Sequence, residues 1–334
     1  MSIRAKRAVF FAFILFILIG MLVSVGMVHY LVHPFETGRP DQIFIVRDGA
    51  TLAQVVRDLE KRGIISNRIL LLLWSRLTGY GSKIKAGEYR LNSHMAPLKI
   101  LHILSRGLVV THSVTIPEGF TVSQIAEELE KEGLADRAEL AALANDPDTA
   151  KRYGLPGPGL EGYLYPDTYR FSRGQSPLSI IDVMMKHFFD VISPLRDEMQ
   201  ASGMTLQQII TLASLIEKET GQGEERPVIA SVFLNRLKKG MRLESDPTVI
   251  YGIKDFNGNL TRQDLSQSTP YNTYVIRGLP PGPIASPGKE SIRAVLFPAD
   301  TNYLYFVSKN DGSHHFSRTL AEHNRAVARY QKKR

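Results

Sequence analysis

The stretch "TLQQIITLASLIEKETGQGEERP", Thr205 to Pro227, joins a helical repeat of apolar residues to two glutamates on its last turn. Leu206, Ile209, Ile210, Leu212, Ala213 and Ile216 recur at helical spacing and define one broad apolar face. Thr205 and Gln208 stand at the spacing of a capping box, and Gly221 and Gly223 supply a stop, so a helix is expected over Thr205 to Thr220. At about 100° per residue, Glu217 and Glu219 border the buried face on opposite flanks, with Lys218, Gln207 and Thr211 on the polar side. A carboxyl at the C-terminal end of a helix meets the negative end of the dipole, and apolar flanks disfavour its ionised form; both effects raise its pKa. A glutamate held protonated near neutral pH is a usable general acid. The same two positions also suit boundary carboxylates paired with Arg226 or Arg236, and periodicity does not choose between the readings.

Downstream, "ERPVIASVFLNRLKKGM" reads as a second helix with Pro227 in its first turn and Gly240 as its stop. In "LESDPTVIYGI", Asp246, Pro247 and Thr248 are expected in an extended turn, because the residue before a proline avoids the helical region. The segment from Ser268 to Gly288 is irregular and long, and loops of that length inside a domain are usually functional or disordered. It contains Tyr271, Asn272, Thr273 and Tyr274. Aromatic rings beside amide and hydroxyl groups suit a sugar, whose ring faces stack and whose hydroxyls need donors and acceptors.

Upstream, "VVTHSVTIPEG" alternates like a strand, "TVSQIAEELEKEG" opens with Thr121 and Gln124 as a capping box, and "RAELAALAND" reads as a helix. Earlier still, residues 42–108 form a compact α+β unit: a strand over Ile43–Val46, a helix from near Thr51, a second in "NRILLLLWSRLTGY", a strand in "AGEYRL" and a helix in "APLKILHILSRG". A short linker, residues 31–41, precedes it.

At the N-terminus, Ala8 to Val28 is uncharged, and as a helix these residues span roughly 31 Å, close to a bilayer's hydrocarbon core. A signal peptide would have a shorter apolar region and a small-residue cleavage site, and "HYLVHPFETGRP" offers none. Residues 8–30 are therefore read as a single membrane anchor. Arg4, Lys6 and Arg7 place residues 1–7 in the cytoplasm by the positive-inside tendency, with the rest of the chain in a bacterial periplasm or its equivalent.

The net charge of +8 is scattered and mixed with acids, concentrating only at the two ends, the second being Lys332, Lys333 and Arg334. Without a basic stripe or zinc-finger spacing, nucleic acid is not the expected partner. The absence of cysteine excludes disulfides, thiolate metal sites and cysteine nucleophiles. "GPGLEG", Gly157 to Gly162, matches the G-x-G-x-x-G pattern, but prolines 156, 158 and 166 forbid the strand and helix it requires. "GPIASPGKE" has the wrong spacing for a phosphate loop and Glu290 where a hydroxyl belongs, so no nucleotide is expected. No histidine stands in a metal-ligating array, and no metal site is expected.

Taken together, "LEGYLYPDTYRF", "ASLIEKET", "ERPVIASVFLNRLKKGMRLESDPTVIYG", "TPYNTYVIRGLPPGPIASPG" and "YLYFV" lie in order across residues 110 to 330 and closely resemble the YceG-like, membrane-anchored endolytic murein transglycosylases. The resemblance implies an α+β fold: an anchor, a small LysM-like domain over 42–108, and a catalytic domain over 109–334 with a lysozyme-like glutamate helix. It implies cleavage of peptidoglycan glycan strands at the MurNAc–GlcNAc β-1,4 bond, leaving 1,6-anhydro-MurNAc ends, without a cofactor. Penicillin-binding synthases are the partners it implies. By motif, the catalytic glutamate is most similar to the second acid of "EKET", Glu219. Tyr271 and Asn272 are similar to a Tyr-Asn pair of lysozyme-like enzymes. Glu161, Asn235, Asp246, Thr248, Tyr271, Asn272 and Thr273 are the candidates for cradling the glycan. For several of them a structural role is equally open: Asp246 as a turn cap, Asn235 as a backbone clasp, Glu161 in an ion pair. A hydrolase with Glu161 or Asp246 as second carboxylate, and a non-catalytic scaffold, are the rival readings.

Overall fold

The computed structural model describes residues 3–331 except 37, 39, 81–83 and 255. Met1, Ser2, the side chain of Arg4 and the basic tail Lys332–Arg334 lie outside the described residues. The chain divides into two compact units: residues 1–112 with 170–176, and residues 113–169 with 177–334.

The first unit begins with helix α1 (Ile3–Val32), whose span Phe10–Val32 has the length and apolar composition to cross a membrane. There follow β1 (Gln42–Val46), α2 (Leu52–Lys61), α3 (Arg68–Thr78), β2 (Gly87–Leu91) and α4 (Pro97–Arg106). β1 and β2 pair antiparallel, with Phe44 opposite Tyr89 and Gln42 opposite Leu91. The pleat therefore turns Phe44, Val46, Tyr89 and Leu91 into one core with Val55, Val56, Leu59, Leu71, Ile100, Leu101 and Leu104. Local chemistry starts each helix: Thr51 and Gln54 close a capping box on α2, and Asn67 accepts from the Ile69 and Leu70 amides of α3. The linker expected from residue 31 is shorter, because α1 continues to Val32 and buries Leu31 in this same core, with Met27 and Tyr30 packed against it.

β3 (His112–Thr115) pairs with β4 (Thr168–Phe171). The second unit is mostly helical: α5 (Val122–Lys131), α6 (Arg137–Ala144), α7 (Pro147–Arg152), α8 (Pro177–Ile192), α9 (Arg196–Ala201), α10 (Leu206–Glu219), α11 (Arg226–Lys238), α12 (Asp246–Gly252), α13 (Arg262–Ser266) and α14 (Lys289–Leu296). A hairpin of β5 (Tyr305–Ser308) and β6 (His314–Ser317) and a last helix α15 (Leu320–Tyr330) complete it.

The centre of this unit is α10, and it corrects the expectation of a two-faced helix. Every residue from Ile209 to Ile216 is buried, including Thr211, which was assigned to the polar side. A helix covered all round can keep small hydroxyls only by satisfying them. The Ser214 hydroxyl donates to the Thr211 carbonyl at 2.7 Å and accepts the Ile284 amide at 3.1 Å. α11, α12 and α14 all pack against it. The Thr205–Gln208 capping box is present, but the stop is not glycine. Thr220 leaves the helix in an extended conformation, and its hydroxyl accepts the Gln222 amide, so Gly221 needs no left-handed turn. Gly240, with φ +65°, does end α11 as expected.

Candidate active site

Glu219 is the last residue of α10, half-buried. Its carboxylate accepts a short hydrogen bond from the hydroxyl of Ser245. Removal from water pushes this carboxyl up to about 7; the Ser245 hydroxyl and Arg236 pull it down, and the negative charge of Asp246 adds to the rise. The site thus holds a carboxyl that gains and loses a proton near neutrality.

Ser245 was not singled out in the sequence, and the reason is physical. It stands at the N-cap of α12, where a serine ordinarily accepts an amide of its own helix, yet here its side chain makes no capping bond. Its hydroxyl is diverted to Glu219 instead. What fixes the serine is a relay of buried hydroxyls: the Ser245 amide donates to Thr273 Oγ1 at 3.0 Å, Thr273 Oγ1 meets Thr248 Oγ1 at 2.8 Å, and Thr248 Oγ1 donates back to the Ser245 carbonyl at 2.7 Å. Just before it, Glu244 adopts a positive φ of 49°, a conformation that costs a non-glycine residue of order 1 kcal/mol. Two bonds hold it there: its amide to the Thr273 carbonyl, and its carboxylate to Arg236 at 3.1 Å. Arg236 is buried, and its guanidinium also donates to the carbonyls of Leu304, Arg242 and Leu243.

Asp246 and Pro247 open α12, which corrects the extended turn expected there. A proline in the first turn forfeits no helical hydrogen bond and meets no i−4 carbonyl, so the helix opens on Pro247 and the local bias of Asp246 is overridden. Asp246 is exposed and accepts the Tyr274 hydroxyl at 2.6 Å.

The other candidates separate into two groups. Thr248, Asn272 and Thr273 are fully buried, and their polar atoms are used inside the protein. The Asn272 side-chain amide donates to the carbonyls of Asp264, Leu265 and Gln267, bracing the irregular segment from within. Asn235 likewise clasps backbone, donating to the carbonyls of Thr301 and Tyr303. Tyr271 and Glu161, in contrast, face cavities. One, of about 830 Å³, is lined by Asn145, Glu161, Lys218, Pro247, Tyr251 and Phe256 among others. A smaller one, of about 170 Å³, shares Glu161 and Tyr251 and adds Tyr271 and Gln207. Glu219 lines neither; its neighbour Lys218 and the Pro247 beside Asp246 line the larger.

The Glu161 carboxylate accepts the Val122 amide at the start of α5 at 3.0 Å and the Tyr251 hydroxyl at 3.2 Å. Burial pushes its carboxyl up to about 7, against those hydrogen bonds. Gly162, next in the chain, has φ +83°, and a Cβ there would lie 2.3 Å from Pro283 Cβ, so only glycine fits. The Tyr251 and Tyr271 rings stand 4.8 Å apart, tilted by 58°, and form an aromatic wall.

Glu217 has a different fate from Glu219. Its side chain is largely covered, pairs with Arg226 at 3.2 Å and accepts the Gly288 amide at 3.0 Å. The boundary-carboxylate reading thus describes Glu217; among the described residues Glu219 makes no ion pair within 4 Å.

Residues 44–329 match the YceG-like family. A Bacillus subtilis protein named endolytic murein transglycosylase is 34% identical over 318 residues, covering 90% of this chain and 88% of that protein. A Streptococcus pneumoniae protein of the same name is 29% identical over 317 residues; the match covers 85% of this chain and 57% of that longer protein. Among solved structures, a YceG-like protein from Listeria monocytogenes superposes with a TM-score of 0.60 at 34% identity, covering 85% of this chain and 98% of that one.

Proposed function

This chain belongs to the YceG-like family, and we propose that it is a membrane-anchored peptidoglycan lytic transglycosylase that cuts within glycan strands, with Glu219 as its proton carrier. The observation that carries the reading is a single titrating carboxyl at the end of α10, raised to about 7 and aimed by a serine hydroxyl, in a chain related to proteins named for this activity. In the protonated state Glu219 gives its proton to the bridging O4 of GlcNAc as the C1–O4 bond of MurNAc breaks. The C6 hydroxyl of the same MurNAc then closes on C1, and its proton returns to Glu219. No water is consumed, and because the nucleophile is intramolecular no second carboxylate is needed. The strand is read as lying along the larger cavity, lined by Glu161, Tyr251 and Pro247, with Tyr271 packed on Tyr251 and Asp246, next to Pro247, leading toward Glu219. α10 then plays the part of a lysozyme-like glutamate helix, and the first unit that of a LysM-like domain beside a periplasmic membrane surface. Penicillin-binding synthases, which extrude the strands, are the partners this reading expects.

Glu219→Gln keeps the shape and removes the proton, and a loss of about 10²–10⁴-fold in glycan cleavage is expected. Mass spectrometry of digested sacculi decides the chemistry: anhydro ends support the reading, and reducing ends heavier by one water would assign a hydrolase using Glu161 or Asp246. Full cleavage by the Gln variant would overturn the assignment of Glu219.

A further inference from the structure

α3 carries a surface that a soluble unit would not leave open. Its sequence, RILLLLWSRLT, has two arginines and no acid. Leu71 and Ser75 face the core, whereas Ile69, Leu73 and Leu77, four residues apart and therefore in one row, are 67%, 48% and 73% exposed. Arg76 stands on the same side, between them.

The placement of α3 against α1 says what lies over that row. At its start, the Tyr30 hydroxyl donates to the carbonyl of Asn67, the N-cap of α3, at 2.6 Å. Just past its other end, Tyr80 lines the same cavity as Leu31 and Val32. An 11-residue helix, about 16 Å long, thus touches the last turn of α1 at its start and faces the same turn across a cavity just past its end. Had α3 run along α1, its ends would meet α1 about ten residues apart. It lies across α1 instead. α1 packs on α3 and α4, and α2 packs on α3 from the core side, so the bare row faces away from the core at the level where α1 leaves its apolar span.

We propose that Ile69, Leu73 and Leu77 bed in the headgroup boundary of the bilayer that α1 crosses, with Arg76 extended to anionic lipid phosphates. The inference rests on the reading of α1 as an anchor. An apolar row with a snorkelling cation and no acid has the chemistry of a helix lying in the membrane plane, and its continuity with the spanning helix selects lipid over a protein partner.

The chain has no cysteine, so single-cysteine variants can be spin-labelled without background. Labels at Leu73→Cys and Leu77→Cys, at Phe16→Cys in α1 and at Arg57→Cys on the exposed side of α2 would be compared. The full chain is reconstituted in vesicles of phosphatidylethanolamine and phosphatidylglycerol. At positions 73 and 77, collision with a water-soluble nickel chelate should fall several-fold below that at 57, while collision with lipid-dissolved oxygen rises. Labels at 73 and 77 as wet as that at 57, with the label at 16 in lipid, would overturn the inference and leave the anchor standing. A wet label at 16 would remove the anchor, and the inference with it. Dipolar broadening at 73 that vanishes on dilution with unlabelled chain would assign the row to a second copy and equally overturn the proposal.

Discussion

The proton on Glu219 is held more tightly by the folded chain than by the unfolded one, and the sign of that linkage is testable. With its pKa raised from 4.5 to about 7, the native state binds the extra proton throughout this window, so stability is highest below it and falls as pH rises through it. Ionised Glu219 therefore costs the fold on the order of 1–3 kcal/mol above pH ~7. Glu219→Gln should unfold at higher urea than the parent at pH ~8, the difference closing toward pH ~4.5, when both are followed by circular dichroism in detergent. Cleavage follows the same proton: kcat/KM should decline as pH rises past about 7. Ser245→Ala removes a hydrogen bond that favours the ionised carboxylate, so this alkaline limb should move up by about one pH unit. A purely structural serine would lower the rate and leave the limb in place. At this scale the sequence showed where Glu219 stands on its helix and little of what meets it. "ESDP" reads as an extended turn, and nothing local shows that Ser245 stands at a helix start with its hydroxyl turned to a carboxyl 26 residues earlier. Asn272 and Thr273 read as glycan contacts by their polarity, but the fold uses that polarity on its own backbone.

Among the elements, α10 shows what pattern and position can each deliver. Its start was legible because a threonine and a glutamine three residues apart each accept the other's backbone amide, a local interaction. Its all-round burial was not, since Thr211 and Ser214 count as polar until a neighbour such as the Ile284 amide supplies a partner. The Glu217–Arg226 pair ties this helix to α11, with Glu217 only 7% exposed. Arg226→Ala leaves a largely covered carboxylate with the Gly288 amide and the like charge of Glu118 but without its cation, and a loss of about 3 kcal/mol is expected, read as a lowered urea midpoint. Thr205→Ala, which removes one cap on the same helix, should cost only about 1 kcal/mol. Equal losses from the two would mean that the ion pair contributes no more than a surface one.

For the molecule as a whole, the sequence showed an α+β chain headed by one apolar helix, and the structure adds that this helix ends inside a packed core. The expected linker failed as a boundary because hydropathy marks where a bilayer ends, not where packing begins. Removing residues 1–26 leaves Met27, Tyr30 and Leu31 in place and should give a folded, trypsin-resistant first unit. Removing residues 1–34 strips Leu31 from the core and the Tyr30 hydroxyl from Asn67, and should open that unit to rapid cleavage at the arginines of α3. Equal resistance of the two truncated chains would show that α1 adds nothing to the fold. The absence of slack between Val32 and this core has a mechanical corollary. In a chain anchored as proposed, swelling or thinning of the lipid sheet is not absorbed by a tether, so a mismatch in thickness would be passed on as tilt of the first unit, making its attitude sensitive to the acyl chains.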